Sequence, residues 1–272
     1  MLLGEIQIPE MVANLHWGGD NWSDLYLCAC TGLYRLKTRA QGKREPFMDA
    51  RPSGAVDFNE AAPAADQSTG LTPSRTALLI QDMQNDVIMP GGAFADSGAP
   101  DHAKTQNVVQ NSARLAAACR AVGIQVIHIW FACEPGHPGI ARNGPLFEGL
   151  IDANALVSGT WGAQPAKGLE PAQRDLVVEK QSMSAWETSR LESLLRRLGI
   201  DTLINTGAWT NMSVEHTART AADKGFRVVV PEDSCSTMNA DWHRASIDYA
   251  MANVATVTTT DAVISMIKGG RA

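Results

Sequence analysis

The stretch "TLINTGAWTNMSVEHTARTAADKGFRVVVPED" (202–233) decides the fold. It opens with an apolar run (202–207), passes through a short irregular segment, and enters a helical stretch (213–224) that stops before Gly225. A second apolar run, "FRVVVPED" (226–233), follows. Runs with no polar alternation predict strands buried on both faces. A strand, a helix and another strand in this order predict a parallel pair with a right-handed crossover.

The same alternation extends outward from residue 76. "TALLIQD" (76–82), "QVIHIWF" (125–131), "DLVVEK" (175–180) and "VATVTT" (254–259) read as further strands. Residues 101–123, 184–200, 239–253 and 261–270 read as helices, and Ser184 and Glu187 are spaced as a capping box. The expected class is α/β, a three-layer Rossmann-like fold with a six-stranded parallel sheet covered on both sides. No internal repeat is visible.

Upstream the composition differs. Residues 1–48 contain "WSDLYLCACTGLYRLKTR", two β runs joined at Thr31–Gly32, an N-terminal hairpin appendage. Residues 49–75, rich in Ala, Pro, Ser, Gly and Asp, read as a linker. The third zone, 76–272, is the domain of alternating strands and helices.

The chain has 272 residues, 44% hydrophobic, and a net charge of −6 with both signs interspersed. No basic cluster suggests nucleic acid or a membrane surface, and no apolar run is long enough to span a bilayer. The first twenty residues lack the pattern of a signal peptide, so a cytoplasmic protein is expected. Five cysteines, an odd number, argue against a disulfide framework. Cys28 and Cys30 flank one residue in a strand-like run and share a face. Cys119 and Cys133 read as packed small hydrophobes. No pair has the spacing of a zinc site.

Ligands of open parallel sheets bind beyond the carboxyl ends of the strands, near the switch in strand order. That rule selects Asp82, Phe131 to His137, Lys180, and Gly207 to Ser213. A lone strand-end Asp is commonly a cap, and a strand-end Lys a solvated terminus. Together on neighbouring strands they gain meaning. An ammonium favours the charged carboxylate and fixes its orientation, and such a carboxylate relays a proton. Ser213, at the start of a helix, reads by composition as a cap, or as a nucleophile near outward-pointing N–H groups.

"ALLIQDMQND…GGAF", "VVEKQSMSAWETSRLESLLRRLGIDTLINTGAWTNMSVEHTARTAADKGF" and "VVVPEDSCST" resemble the isochorismatase-like cysteine hydrolases, in the right order and over residues 76–268. The resemblance implies an Asp–Lys–Cys triad. It implies hydrolysis of small amides and ureides such as nicotinamide, N-carbamoylsarcosine, ureidoacrylate or biuret. Asp82 matches the aspartate and Lys180 the lysine. Residues 207–210 match the segment with a cis peptide, which here joins Ala208 and Trp209. The N–H groups of Trp209 and Ser213 then form the oxyanion hole.

The chain departs from the family at the nucleophile, where Ser213 stands for the cysteine. A thiol starts from a pKa of about 8.5 and ionises readily beside a lysine. A hydroxyl needs a well-aligned base, so amide hydrolysis is expected to be slow. Three accounts stay open: an engineered trap, a natural subgroup with different chemistry, or a binding site without turnover. The second has a precedent in the family's vinyl-ether hydrolases, which lack the cysteine and use the aspartate as acid.

Asn85, Ala208, Trp209, Glu134, His137 and Trp186 are the candidate oxyanion and substrate-binding residues. Trp130, Trp161, Trp186 and Trp209 are candidate pocket walls or interface residues. His216, one turn past Ser213, and His128, inside a strand, read as structural. His102 is the only histidine in the loop after the first strand, so no metal and no cofactor are expected. A small-molecule substrate and a homo-oligomer are. Finally, "NLHWGGDNWSDLYLCACTGLYRLKTRAQG" (14–42) is similar to the end of the gluconolactonase-like propellers. About thirty residues cannot close a propeller, so it reads as a fused fragment or a docking hairpin.

Overall fold

The computed structural model describes residues 12–19, 21–29, 33–40, 42 and 70–269. The chain divides into two units, Met1–Ala65 and Asp66–Ala272. In the first, β1 (Val12–Gly18), β2 (Asp24–Ala29) and β3 (Leu33–Lys37) form an antiparallel sheet in that order. The expected pair is β2 with β3, in register from Asp24↔Lys37 to Cys28↔Leu33. The strand β1 is additional. Its Asn14 and Gly18 are poor strand formers, which hides it from a pattern reading. Leu25 and Leu27 are buried and Cys28 is exposed. The turn at Thr31–Gly32, Cys30 and residues 43–69 lie outside the described residues.

In the second unit β4 (Thr76–Gln81), β5 (Gln125–Phe131), β6 (Leu176–Lys180), β7 (Thr202–Ala208), β8 (Arg227–Pro231), β9 (Cys235–Ser236) and β10 (Thr256–Thr258) build one parallel sheet. The order is β10-β8-β7-β4-β5-β6, with the two-residue β9 on β7 beyond the end of β8. The six expected strands are all present, and β9 makes a seventh. Every residue of β4 is buried. Its Leu78 and Ile80 enter one hydrophobic cluster and its Ala77 and Leu79 the other. The period-two geometry of a strand thus feeds two cores, which is why the sequence shows an unbroken apolar run.

The helices are α1 (Asn85–Ile88), α2 (Ala99–Thr105), α3 (Val108–Val122), α4 (Pro145–Asp152), α5 (Leu191–Arg197), α6 (Glu215–Asp223), α7 (Ala240–Ala245) and α8 (Thr260–Gly269). Three helix expectations need correction. The stretch 101–123 is two helices, broken where Asn107 adopts φ +51°. Asn tolerates that left-handed conformation better than most residues. The helix expected over 184–200 begins only at Leu191. The carbonyls of Ser182 and Met183 instead accept from Lys180 Nζ, and those of Ser184 and Glu187 accept from Ser182 Oγ. Carbonyls used this way do not start a helical ladder, so the capping box is not formed. The stretch 239–253 is helical but changes pitch, from α7 to a π turn at Ser246–Ala250 and a 3₁₀ turn at Met251–Asn253.

The linker expectation ends early. Leu71 is 2% exposed and belongs to a core cluster, and Arg75 pairs with Asp201. A single leucine among Pro, Ser and Gly carries too little pattern to reveal its burial.

Candidate active site

The strand order reverses at β4, which sends β5 and β6 to one side and β7, β8 and β10 to the other. The crevice at this switch lies beyond the ends of β4 and β7. Asp82 follows β4 directly, with φ +51° and its N–H donating to Ile129 O at 2.8 Å. Beyond β7 the Ala208–Trp209 peptide is cis. The chain then makes a π turn, Thr210–Val214, that runs into α6. Ser213 lies in this turn, not at a helix cap. Its hydroxyl donates to Asp82 Oδ2 at 2.5 Å.

Lys180 arrives from the end of β6, two strands from β4, so the two charged residues are not on neighbouring strands as expected. Strands lie about 4.8 Å apart, and the long lysine side chain spans the distance from β6 to Asp82. Its Nζ is 5.0 Å from the centre of the Phe131 ring. Nζ donates to Asp82 Oδ2 at 2.8 Å, to Ser182 O at 2.8 Å and to Met183 O at 3.2 Å, and lies 3.4 Å from Ser213 Oγ. Lys180 is only 1% exposed. An ammonium has three protons, so these contacts use its whole donor capacity.

A buried polar network fixes the frame. Gln81 Nε2 donates to Asn205 Oδ1, and Asn205 Nδ2 donates to the carbonyl of Val214, beside Ser213. Thr217 Oγ1 donates to Gln81 Oε1 and accepts from Ala185 N. Gly207 of β7 pairs with Gln81 of β4, and there φ is +126° and a Cβ would sit 2.1 Å from Gln81 O. Only glycine fits there.

Asp82 and Ser213 border a small cavity of about 40 Å³. Its other walls are apolar or aromatic: Val87, Phe94, Phe131, Leu146, Leu150, Leu156, Met183, Ala208, Trp209 and Met212. Phe94 meets Trp209 edge-on at 5.2 Å. Two residues that line this cavity each carry a buried polar atom, Asp82 Oδ1 and Trp209 Nε1, with no hydrogen-bond partner among the described residues.

The structure therefore brings together Asp82, Lys180, Ser213, Ala208 and Trp209. It places the other expected residues elsewhere. Asn85 is buried, with Nδ2 donating to Trp161 O at 2.8 Å, and does not border the cavity. Glu134 is exposed and accepts from Gln181 Nε2 at 2.6 Å. His137 is buried with φ +55°, and its Nε2–H donates to Ala155 O at 2.8 Å. Trp186 donates from Nε1 to Thr217 O at 2.9 Å and packs on Phe226. Of the four tryptophans, only Trp209 lines the cavity. Trp186 pins to α6 the loop whose carbonyls hold Lys180. His216 is exposed. His128 is buried in β5, 3.2 Å from Asp175 Oδ2, and its pKa is lowered chiefly by burial.

The wall residues missed in the sequence are Val87, Phe94, Leu146, Leu150, Leu156, Met183 and Met212. Met212 adjoins Ser213, and "PLFEGL" (145–150) carries an amphipathic signal. Nothing local marks Leu156 or Phe94. Asp86 holds both: its Oδ2 accepts from Leu156 N at 2.7 Å, its Oδ1 from Ala93 N at 2.9 Å, and its carbonyl from Phe94 N at 3.0 Å.

Alternative nucleophiles are absent among the described residues at this cavity. The free thiols of Cys119 and Cys235 are pushed up by burial to about 12, and that of Cys133 to about 11. No group of three or more His, Cys, Asp or Glu among the described residues is arranged to hold a metal ion. No described helix is long and apolar enough to cross a membrane.

Residues 76–262 match the family model described as the isochorismatase domain. The chain belongs to the isochorismatase family. A ureidoacrylate amidohydrolase (RutB) of Acinetobacter baylyi is 31% identical over 211 residues, covering 71% of this chain and 86% of the relative. The crystal structure of a cysteine hydrolase from Pseudomonas syringae pv. phaseolicola superposes with a TM-score of 0.66 at 25% identity, covering 74% of this chain and 96% of the other. That of N-carbamoylsarcosine amidase from Thermoplasma acidophilum gives 0.55 at 25% identity, covering 69% and 97%.

Proposed function

We propose that this isochorismatase-family chain is a hydrolase of a C–N bond in a small amide or ureide, with Ser213 as nucleophile. The observation that carries this reading is the 2.5 Å hydrogen bond from Ser213 Oγ to Asp82 Oδ2, with Lys180 Nζ against the same oxygen. The amidohydrolase and amidase relatives support it.

Ser213 Oγ attacks the substrate carbonyl carbon while its proton passes to Asp82. The backbone N–H groups of Trp209 and Ser213 stabilise the resulting oxyanion. The intermediate collapses with loss of ammonia, which takes the proton back from Asp82. Water then attacks the acyl ester and gives a proton to Asp82. Asp82 returns it to the departing Ser213 oxygen, leaving the acid. The sum is amide plus water to carboxylic acid plus ammonia. Lys180 holds Asp82 in line throughout. Glu134, His137, Asn85 and Trp186 act at most through the loops they anchor.

The test is ammonia release from small amides and ureides by this chain and by Ser213→Cys. Turnover in both, lost in Asp82→Asn and Ser213→Ala, is the expected result. Turnover only in Ser213→Cys makes the present chain a binder. Activity that survives Ser213→Ala but not Asp82→Asn points to non-covalent vinyl-ether chemistry. The proposal includes a cytoplasmic homo-oligomer. Exposed Trp242 and Tyr249 support self-association, and sedimentation velocity tests it.

A further inference from the structure

We infer that this site selects an uncharged amide with a short apolar acyl group and discriminates against carboxylate-bearing substrates. The inference rests on the hydrolase reading above and deepens it. The substrate names of the two relatives, ureidoacrylate and N-carbamoylsarcosine, both denote carboxylates. A site for such a molecule needs a cation or several free donors for the second charge.

This cavity offers neither. Among the described residues Asp82 is the only ionisable one on the cavity wall, and it is paired with Lys180. The Lys180 ammonium is paired with Asp82, and its donors are committed to Asp82, Ser182 O and Met183 O. Arg142 stands before α4, but it is exposed and paired with Asp152 at 2.8 Å. The lining of the cavity includes Leu146, Leu150, Leu156 and Phe94. A carboxylate against these side chains loses its water and gains no partner, which disfavours its binding.

The two unpartnered atoms fit an amide head instead. Asp82 Oδ1 accepts from an N–H, and Trp209 Nε1 donates to a carbonyl oxygen or another neutral acceptor. The small volume favours a short chain over a ring system.

Butyramide and succinamate are a matched pair. They share the amide and differ at the far end, methyl against carboxylate. Ligand-observed NMR titration of the full chain reads binding independently of turnover, and ammonia release is recorded separately. The expected result is binding of butyramide at least about 100-fold tighter than succinamate. Leu146 is only half-buried, so Leu146→Arg is tolerated at the wall. That variant is expected to reverse the preference. Equal or tighter binding of succinamate to the unaltered chain overturns the inference, as does failure to bind either molecule. Selective butyramide binding without ammonia release, here or in Ser213→Cys, upholds the selectivity and defeats the hydrolase reading.

Discussion

Replacing Lys180 by methionine tests the centre of the site through stability as well as activity. Methionine keeps much of the side-chain volume and removes the charge. The side chains of Lys180 and Asp82 are 0% and 6% exposed, so the remaining carboxylate stays buried without its cation. Removing one partner of a buried pair costs about 3–5 kcal/mol. For a domain of this size each kcal/mol lowers the melting temperature by about 2–4 °C, so a fall of about 6–20 °C is expected. The carbonyls of Ser182 and Met183 lose their donor in the same step, which loosens the loop before α5. The assay is urea unfolding followed by tryptophan fluorescence, on Lys180→Met, Asp82→Leu and the double variant. The double variant carries no orphan charge and is expected to recover most of the loss. A single variant within about 1 kcal/mol of the parent, or no coupling in the cycle, refutes the claim that these residues form a buried, mutually dependent pair.

Two further outcomes follow from the geometry. His243 is 3% exposed, with Nδ1 2.9 Å from Thr210 Oγ1 and its ring 5.3 Å from that of His102. Burial, then the neighbouring His102 and Arg244, lowers its pKa from 6.5 to about 4. The native state resists a proton that the unfolded chain accepts, so stability is full above pH 6.5 and is lost as pH falls towards 4. The difference is up to about 3 kcal/mol. Denaturant titrations between pH 7 and 4.5 measure it, and His243→Gln is expected to flatten the slope; an unchanged slope refutes the assignment. Asp86→Ala removes acceptors for Leu156 N and Ala93 N and is expected to cost about 2–4 kcal/mol. It also loosens the cavity walls at Phe94 and Leu156, so butyramide binding weakens while Asp86→Asn retains part of both; equal affinity in parent and Asp86→Ala counts against the role.

Much of this molecule is legible without coordinates. The six parallel strands follow from apolar runs, because a strand buried on both faces has no polar side to show. Asp82 and Lys180 follow from the rule that places ligands beyond strand ends, and Ser213 from the motif around it. The readings that fail do so for a common reason. The helix expected from Ser184 is replaced by a loop whose carbonyls serve Lys180, a demand that originates 98 residues away at Asp82. Glu134, His137, Asn85 and Trp186 have the right chemistry and the right neighbourhood along the chain. Their directions are set by Gln181, Ala155, Trp161 and Thr217, which sequence spacing does not reveal.

The sequence by itself determined the parallel α/β sheet and the three polar groups at its switch point, since hydrophobic periodicity and strand-end position are local properties. Only the tertiary structure decided that Lys180, two strands away from Asp82, commits its donors to one carboxylate and two carbonyls, and that the cavity lining beyond Asp82 and Ser213 is apolar or aromatic. Both results depend on which side chains meet across the fold, and contact between residues distant along the chain is set by packing in three dimensions.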